Sequence, residues 1–386
     1  IFRIFAIWCI YILILSFFSD DIYLSLQSSL FYFRFVLFFL GVYFILQISN
    51  KNLLYFFLSS LFVFLFVIFD SFYQFFFQYD FFGYEYTRYR LSGLFGDEKI
   101  LGSYLSRLLP LILGLLFINK EYINRFINYE IIFNTLLFLS GILIYLSGER
   151  TAFFYFFIII IFTILLKHNL KFYKYFFSFA FISTILFFSF FYSFNKERII
   201  DETTNQIFKM DNKQFINSEG EPHNIAIPFV IFSIQHQALY ITSIEIIKDN
   251  ILFGIGPKLF RETCKKEKYK TFHPYDGSIN GCQTHPHNTY IQIFAETGII
   301  GFTFLTCIFI FVLLFLLKNI YGTWKNTYTN NQILEIYLLI GIFITLWPLV
   351  PSGNVFNNWL NIIYYIPLGF LLNSRYRLAV HTDKNL

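Results

Sequence analysis

Apolar blocks long enough to cross a bilayer recur along this chain, separated by short polar stretches. A hydrocarbon core about 30 Å thick needs roughly 20 apolar residues in a helix to span it. On that spacing the pattern predicts spans near 4–19, 29–48, 53–78, 100–118, 131–147, 152–166, 175–193, 298–317, 333–350 and 358–373. Inside lipid only helices and closed barrels satisfy their backbone polar groups, and blocks of this length are helical. One large polar insertion breaks the rhythm before residue 298. The expected fold class is an all-α polytopic membrane protein of about ten helices. It divides into N-terminal spans (1–193), the insertion with the start of the next helix (194–297), and C-terminal spans with a tail (298–386).

The insertion subdivides by the same criterion. Residues 194–235 are polar and irregular, with Gly220 and several Asn, and read as coil or short helices. In 236–250, Leu239, Ile246 and Ile247 recur at helical spacing, which predicts an amphipathic helix suited to a membrane surface. Gly254-Ile-Gly-Pro257 then breaks the chain in a turn, and 258–285 lead into the next apolar block.

Composition agrees and adds sidedness. Of 386 residues 56% are hydrophobic and 14% charged, where soluble domains carry roughly a quarter charged. Fifty-eight Phe and 28 Tyr, with abundant Ile, Asn and Lys, resemble the codon bias of an AT-rich genome, so single aromatics carry no functional weight. The net charge of +5 is spread over loops and gives no nucleic-acid-binding patch. Ten spans put both termini on one side, with Lys51, Lys120, Arg125, Lys167, Lys171, Lys174, Lys318, Lys325, Arg375, Arg377 and Lys384. The short loops opposite hold Arg88, Arg90, Lys99 and Arg150. The positive-inside bias therefore predicts cytoplasmic termini and an outward-facing 194–285. The first apolar block reads as a span, not a cleavable signal, and a start at Ile1 leaves open whether spans precede it.

Against that background one stretch stands out: Cys282-Gln-Thr-His-Pro-His-Asn-Thr-Tyr-Ile-Gln-Ile-Phe-Ala-Glu-Thr-Gly-Ile-Ile-Gly301. His285, His287 and Asn288 directly precede an apolar run, and Glu296 lies within it. Polar groups at membrane depth are costly and point to function. A helix starting near Pro286 puts His287 and Asn288 in its first turn, where free N–H groups and the dipole favour an anion. Imidazole titrates near working pH and suits a general base; the plainer reading is a capping or interfacial histidine. Glu296 reads as a partner for an arginine, a cap on the site or a packing residue. Gly298 and Gly301, three residues apart, suggest close helix packing.

Arginines supply the complementary charge. Arg88 and Arg90 precede a span, Arg150 sits in a tight turn between two spans, and Arg261 follows the glycine-rich turn. Guanidinium binds phosphate oxygens bidentately and keeps its charge, which fits a pyrophosphate at a membrane surface. For Arg88 and Arg90 a solvated loop or headgroup contact serves equally well, and for Arg261 a solvated loop charge does. A two-residue loop gives Arg150 less reason to be there.

Cys9 and Cys307 fall inside spans and read as small apolar residues. Cys264 and Cys282 share the insertion, and in an oxidising periplasm a disulfide between them would contribute about 3 kcal/mol. The rival is a metal site of Cys264, Cys282, His285 and His287, whose spacing fits no familiar zinc pattern. Asp20-Asp21 in the first outer loop is another place for a metal, and also an ordinary polar loop start.

The run His287-Asn288, nine residues, Gly298, two residues, Gly301 resembles the signature of bacterial O-antigen ligases and the related Wzy-type polymerases. Arg150 with Phe154 is similar to that family's Arg-x-x-x-Leu element, with Phe in place of Leu. Arg90-Leu-Ser-Gly-Leu-Phe95 looks like its Arg-x-x-Gly-x-Phe segment, with Asp97-Glu98 where Asn-Pro often follows. Asn250-Ile-Leu-Phe-Gly-Ile-Gly-Pro257 resembles the turn after its amphipathic helix. Upstream, His236 and Tyr240 stand where an Arg and a Trp are common. The resemblance covers roughly residues 85–305, and its His-Asn element is the specific part.

What the resemblance implies is a GT-C-like helical bundle in the bacterial inner membrane, with a large periplasmic loop before the signature helix. Such enzymes take a glycan from an undecaprenyl-diphosphate carrier and pass it to an acceptor hydroxyl, without metal or other cofactor. Ligases use lipid A–core as acceptor, and polymerases use a second carrier-linked repeat; the signature is shared. By motif match His287 is the base and Arg150 binds the diphosphate. Arg90, Arg88, Arg261 and Asn288 join it, while His285, Glu296, Gly298 and Gly301 support the site. The chemistry agrees: displacement at an anomeric carbon needs a base for the incoming hydroxyl and cations for the leaving diphosphate. A transporter or flippase of polyisoprenoid-linked sugars would explain spans and arginines too. It should keep charges or broken helices near the midplane, whereas the predicted span interiors are almost free of charge. A protein that only binds or scaffolds glycan is the third alternative.

Overall fold

The computed structural model describes residues 2–86, 90–166, 201, 204, 212–216, 222–226, 232–273, 276–325 and 328–383. Nine of the ten predicted spans fall on helices: Phe2–Phe17, Arg34–Ile48, Asn50–Phe77, Leu101–Ile118, Tyr129–Leu146, Arg150–Leu165, Thr289–Lys325, Asn330–Thr345 and Asn358–Asp383. The tenth, 175–193, lies outside the described residues, as does Arg88. By length and composition, five crossings qualify among the described residues, not ten: 22–48, 51–77, 101–118, 129–146 and 289–325. Arg3–Phe17, Arg150–Leu165 and Asn330–Thr345 are apolar but shorter. Ile7, Phe62 and Leu314 leave 62%, 71% and 62% of their surface bare, the kind of face a helix shows to lipid. The chain is a multi-pass helical membrane protein.

Contacts divide it into two compact units, each drawn from separate stretches: 1–39, 202–311 and 347–365 form the first, and 40–201, 312–346 and 366–386 the second. In the second unit Leu101–Ile118 is central, with Leu105, Leu109, Leu113, Leu115 and Leu116 fully buried. It packs on Asn330–Thr345 at Gly114, where a β-carbon would lie 3.0 Å from Leu334 and from Tyr337. Arg375 closes this unit by bonding Glu335 at 2.9 Å while lying 4.3 Å over the Phe315 ring.

The first unit holds the insertion. Helix Ile234–Asp249 starts at Ser233, whose hydroxyl accepts from His236 N. Its apolar stripe is covered within the unit: Leu239, Tyr240 and Ile246 are buried against Phe260, Cys264, Tyr269 and Ala295. Burying the stripe inside the unit satisfies the same hydrophobic demand. Two antiparallel hairpins accompany it, Asn212–Ile216 with Pro222–Ala226 and Phe272–His273 with Asp276–Asn280. The first replaces the coil or short helices expected there; five-residue strands are too short to show a clear period.

Candidate active site

The helix that opens at Thr289 is broken at Gly298, which takes φ 68° and ψ −170°. A break inside an apolar helix frees backbone groups that lipid cannot satisfy. Here four of them find partners: Ile255 N donates to Ala295 O (3.0 Å) and Gly256 N to Glu296 O (2.9 Å). Tyr11 Oη donates to Thr297 O at 2.6 Å, and Ile299 N to Ile251 O at 2.8 Å. The Gly254 turn and the Gly298 break interlock, since a β-carbon on Gly254 would lie 2.5 Å from Thr297 N. Glu296 is fully buried. Its Oε1 accepts from Phe260 N at 3.1 Å and its Oε2 from Gln292 Nε2 at 3.1 Å. Glu296 thereby ties the glycine-rich turn and the Phe260–Thr263 helix to the broken helix.

His287 and Asn288 do not occupy the first helical turn, which is a correction to the sequence expectation. His287 has φ 56°, a left-handed conformation uncommon for any residue but glycine. Asn288 is the cap: its Oδ1 accepts from Tyr290 N (3.0 Å) and Ile291 N (3.1 Å). Thr289 N donates to Ser352 Oγ at 2.7 Å. The N–H groups that an anion would use are therefore taken, and Asn288 caps the helix in place of a diphosphate. Its Nδ2 is equally committed, donating to Pro348 O (2.8 Å) and Val350 O (3.3 Å). Ser352 N donates to His287 O at 2.8 Å, fixing the strained residue from outside.

Three imidazoles gather here. The His285 and His287 ring centroids are 4.1 Å apart, and those of His236 and His287 are 5.7 Å apart. Burial lowers the His287 pKa below its ordinary value. Burial first, and the neighbouring His287 next, push His285 down to about 3. Both rings are thus neutral near pH 7. His287 lines a cavity of about 490 Å³ with His236, Leu239, Ile279, Gln235, Asn280 and Gln283. In the same unit, Arg261 keeps its Nε buried without a hydrogen-bond partner among the described residues. Its charge acts on His285, Lys258 and Glu296. Burial, then Arg261, lower the Lys258 pKa, against Glu296. Lys258 was not singled out by sequence, where it is one cation of a loop.

Cys264 and Cys282 form a disulfide with Cα atoms 5.2 Å apart, joining the Phe260–Thr263 helix to the segment before His285. The four-ligand metal set weighed above thereby loses both thiolates. Asp21 accepts from Leu24 N at 2.9 Å as a helix cap, and Asp20 pairs with Lys266 at 2.5 Å.

The second unit holds the other arginines. Gly148 takes φ 65° and turns the chain into Glu149 and Arg150, the first residue of its helix. Glu149 is anchored in this turn. Its Oε1 accepts from Gly102 N (2.7 Å), and its Oε2 from Ser103 N (3.2 Å) and Ser103 Oγ (2.7 Å). It thus caps the Leu101–Ile118 helix from another element. Burial raises its carboxyl pKa, while Ser103, Arg90, Gly102 and Arg107 pull it back. Arg90 Nη2 donates to Lys99 O at 2.9 Å. Arg107 is buried, with its guanidinium 5.1 Å over the Tyr155 ring. Sequence reading passed over Arg107, although an arginine six residues into an apolar block is itself a signal. Asp70 and Glu335 are buried in helices as well. Span interiors therefore carry more charge than the sequence suggested, which removes one argument against a transporter.

Fold and geometry together define a multi-pass helical membrane protein with a partly buried imidazole cluster. Residues 135–306 match the family model described as O-antigen ligase, and this segment supports a relation to the O-antigen ligase/Wzy superfamily. The match includes Arg150, Arg261, His285, His287, Asn288, Glu296, Gly298 and Gly301, and begins after Arg90. It supports membrane glycosyltransferase chemistry of the ligase/polymerase type, acting on a lipid-linked glycan and an acceptor. No curated protein shows a significant match to the chain.

Proposed function

We propose that this protein moves a glycan from an undecaprenyl-diphosphate carrier to an acceptor hydroxyl at the periplasmic side of a bacterial inner membrane. Ten spans and cytoplasmic termini belong to the same proposal. The observation that carries it is the neutral His287 imidazole on a cavity wall, inside the segment that matches the O-antigen ligase family. Neutral imidazole takes the acceptor proton as that oxygen attacks the anomeric carbon, and the bond to the diphosphate breaks with its electron pair leaving on oxygen. Cations stabilise that leaving group. Arg261 and Lys258 are the candidates in one unit, and Arg150, Arg90 and, by motif, Arg88 in the other. With this charge supplied by side chains, the reaction needs neither metal nor other cofactor. The acceptor is lipid A–core in the ligase form of the reading and a growing glycan in the polymerase form.

The test is transfer by purified protein of a fluorescent glycan from undecaprenyl diphosphate in EDTA, offering either acceptor. Wild type should transfer, and His287→Ala and Arg150→Ala should lose transfer while retaining expression. No transfer to either acceptor, with glycan still bound, would overturn the reading in favour of carriage of lipid-linked sugars.

A further inference from the structure

The cavity beside His287 is lined by carboxamides, imidazoles and aliphatic side chains. Helix Ile234–Asp249 contributes Gln235, His236 and Leu239, the hairpin strand Asp276–Asn280 contributes Ile279 and Asn280, and Gln283 and His287 complete it. Among these lining residues there is no Asp, Glu, Lys or Arg. A diphosphate would find no cation here, and an acidic sugar no counter-charge. Three carboxamides instead present both donors and acceptors, the set that matches the hydroxyls of a sugar ring. Asn280 Oδ1 is engaged by Cys282 N at 3.1 Å, which leaves its NH₂ to donate. Gln235 and Gln283 are exposed, and water bound to such amides can be displaced by hydroxyls. Leu239 and Ile279 add an apolar wall for the C–H face of a ring, and about 490 Å³ suits a small ligand.

We propose that this cavity is a subsite for an uncharged sugar of the acceptor, with Gln235 and Gln283 as the residues that select it. That the sugar is an acceptor rests on the transferase reading; that it is a neutral sugar does not. Its hydroxyl would meet His287 from the cavity side.

The experiment uses the full chain, purified into lipid nanodiscs and fluorescently labelled, on a printed array of neutral oligosaccharides and their uronic-acid and phosphorylated counterparts. Binding should fall on neutral glycans, and the Gln235→Ala/Gln283→Ala variant should lose about tenfold of it with unchanged thermal melting, as for one or two lost hydrogen bonds. In the transfer assay the same variant should raise the acceptor KM about tenfold, with donor KM and kcat near wild type. Preferential binding of acidic glycans, binding to none, or binding that survives the double variant would overturn the proposal. A protein that shows the expected array pattern but transfers nothing overturns the transferase reading and leaves the sugar site. Transfer with an unchanged acceptor KM in the double variant overturns the sugar site alone.

Discussion

Replacing Gly298 by alanine puts a β-carbon where the backbone of the neighbouring turn already sits. At φ 68° and ψ −170° the residue occupies a region nearly exclusive to glycine. The new carbon would press on the Leu252 carbonyl and lie 2.5 Å from Phe253 N. Backbone strain costs about 1–3 kcal/mol, and overpacking against atoms that cannot rotate away about 1–3 kcal/mol more. A sum of about 2–6 kcal/mol is a large part of the roughly 5–15 kcal/mol that holds most proteins folded. Gly301→Ala is the control. There the backbone is helical, and the carbon would meet the Thr297 hydroxyl, the Thr297 Cβ at 2.8 Å and the Trp8 ring at 3.3 Å. Rotation of Thr297 removes the hydroxyl, giving up its 2.6 Å bond to Ile293 O, but leaves the Cβ in place. The loss is that of side-chain crowding without strained backbone, about 1–3 kcal/mol, less about 1 kcal/mol of helix propensity. Thermal unfolding of detergent-purified variants should therefore place Gly298→Ala far below wild type and Gly301→Ala between the two. A Gly298→Ala protein that melts with wild type, or no lower than the Gly301→Ala protein, refutes the interlocked-turn account.

Acidification should weaken the fold through His285. Its pKa is about 3 when folded against 6.5 when free, so between those values the unfolded chain binds more protons and stability falls with pH. The slope approaches about 1.4 kcal/mol per pH unit, and His285→Phe should flatten it between pH 6 and 4.5 in pH-dependent melting. The lowered His287 pKa likewise places the acid limb of the transfer rate below pH 6.5, and a limb centred above that value would contradict a buried base. Replacing Cys264 and Cys282 together by serine should cost about 3 kcal/mol of stability in the first unit; equal urea midpoints for wild type and variant would show the disulfide to be idle. Glu149→Ala strands Gly102 N and Ser103 N at the start of a buried helix, for about 2–4 kcal/mol. An unchanged melting temperature would remove Glu149 as the anchor of the Arg150 turn.

The membrane helices were legible because lipid imposes length and hydropathy on sequence directly. His287, Arg150 and Arg261 stood out in the sequence because charge near a bilayer needs a reason. What the pattern hid depends on which groups meet. His287 and Asn288 read as a helical first turn, yet a left-handed residue followed by an Asn cap has no periodic signature. The glycine-rich turn was visible from Gly254 and Gly256, but its docking on the Gly298 break was not, because the contact runs between segments more than forty residues apart. Glu149 was overlooked beside Arg150 because its role, capping a helix that begins at Leu101, exists only after folding.

The family-matched segment does not complete the imidazole site by itself. It ends at residue 306, whereas the groups that hold His287 and Asn288 come from beyond it: Ser352 N on His287 O, and the Pro348 and Val350 carbonyls on the Asn288 amide. One turn further on, Gln292 is bonded to Asn354 Oδ1 (2.9 Å) and to Val355 N (3.1 Å). On the opposite flank Tyr11 holds the carbonyl freed at the break. A left-handed histidine is a strained choice, and such residues persist only where their surroundings over-determine them. Here the surroundings are segments from both ends of the chain. The left-handed His287 therefore depends on flanking segments that have closed on it.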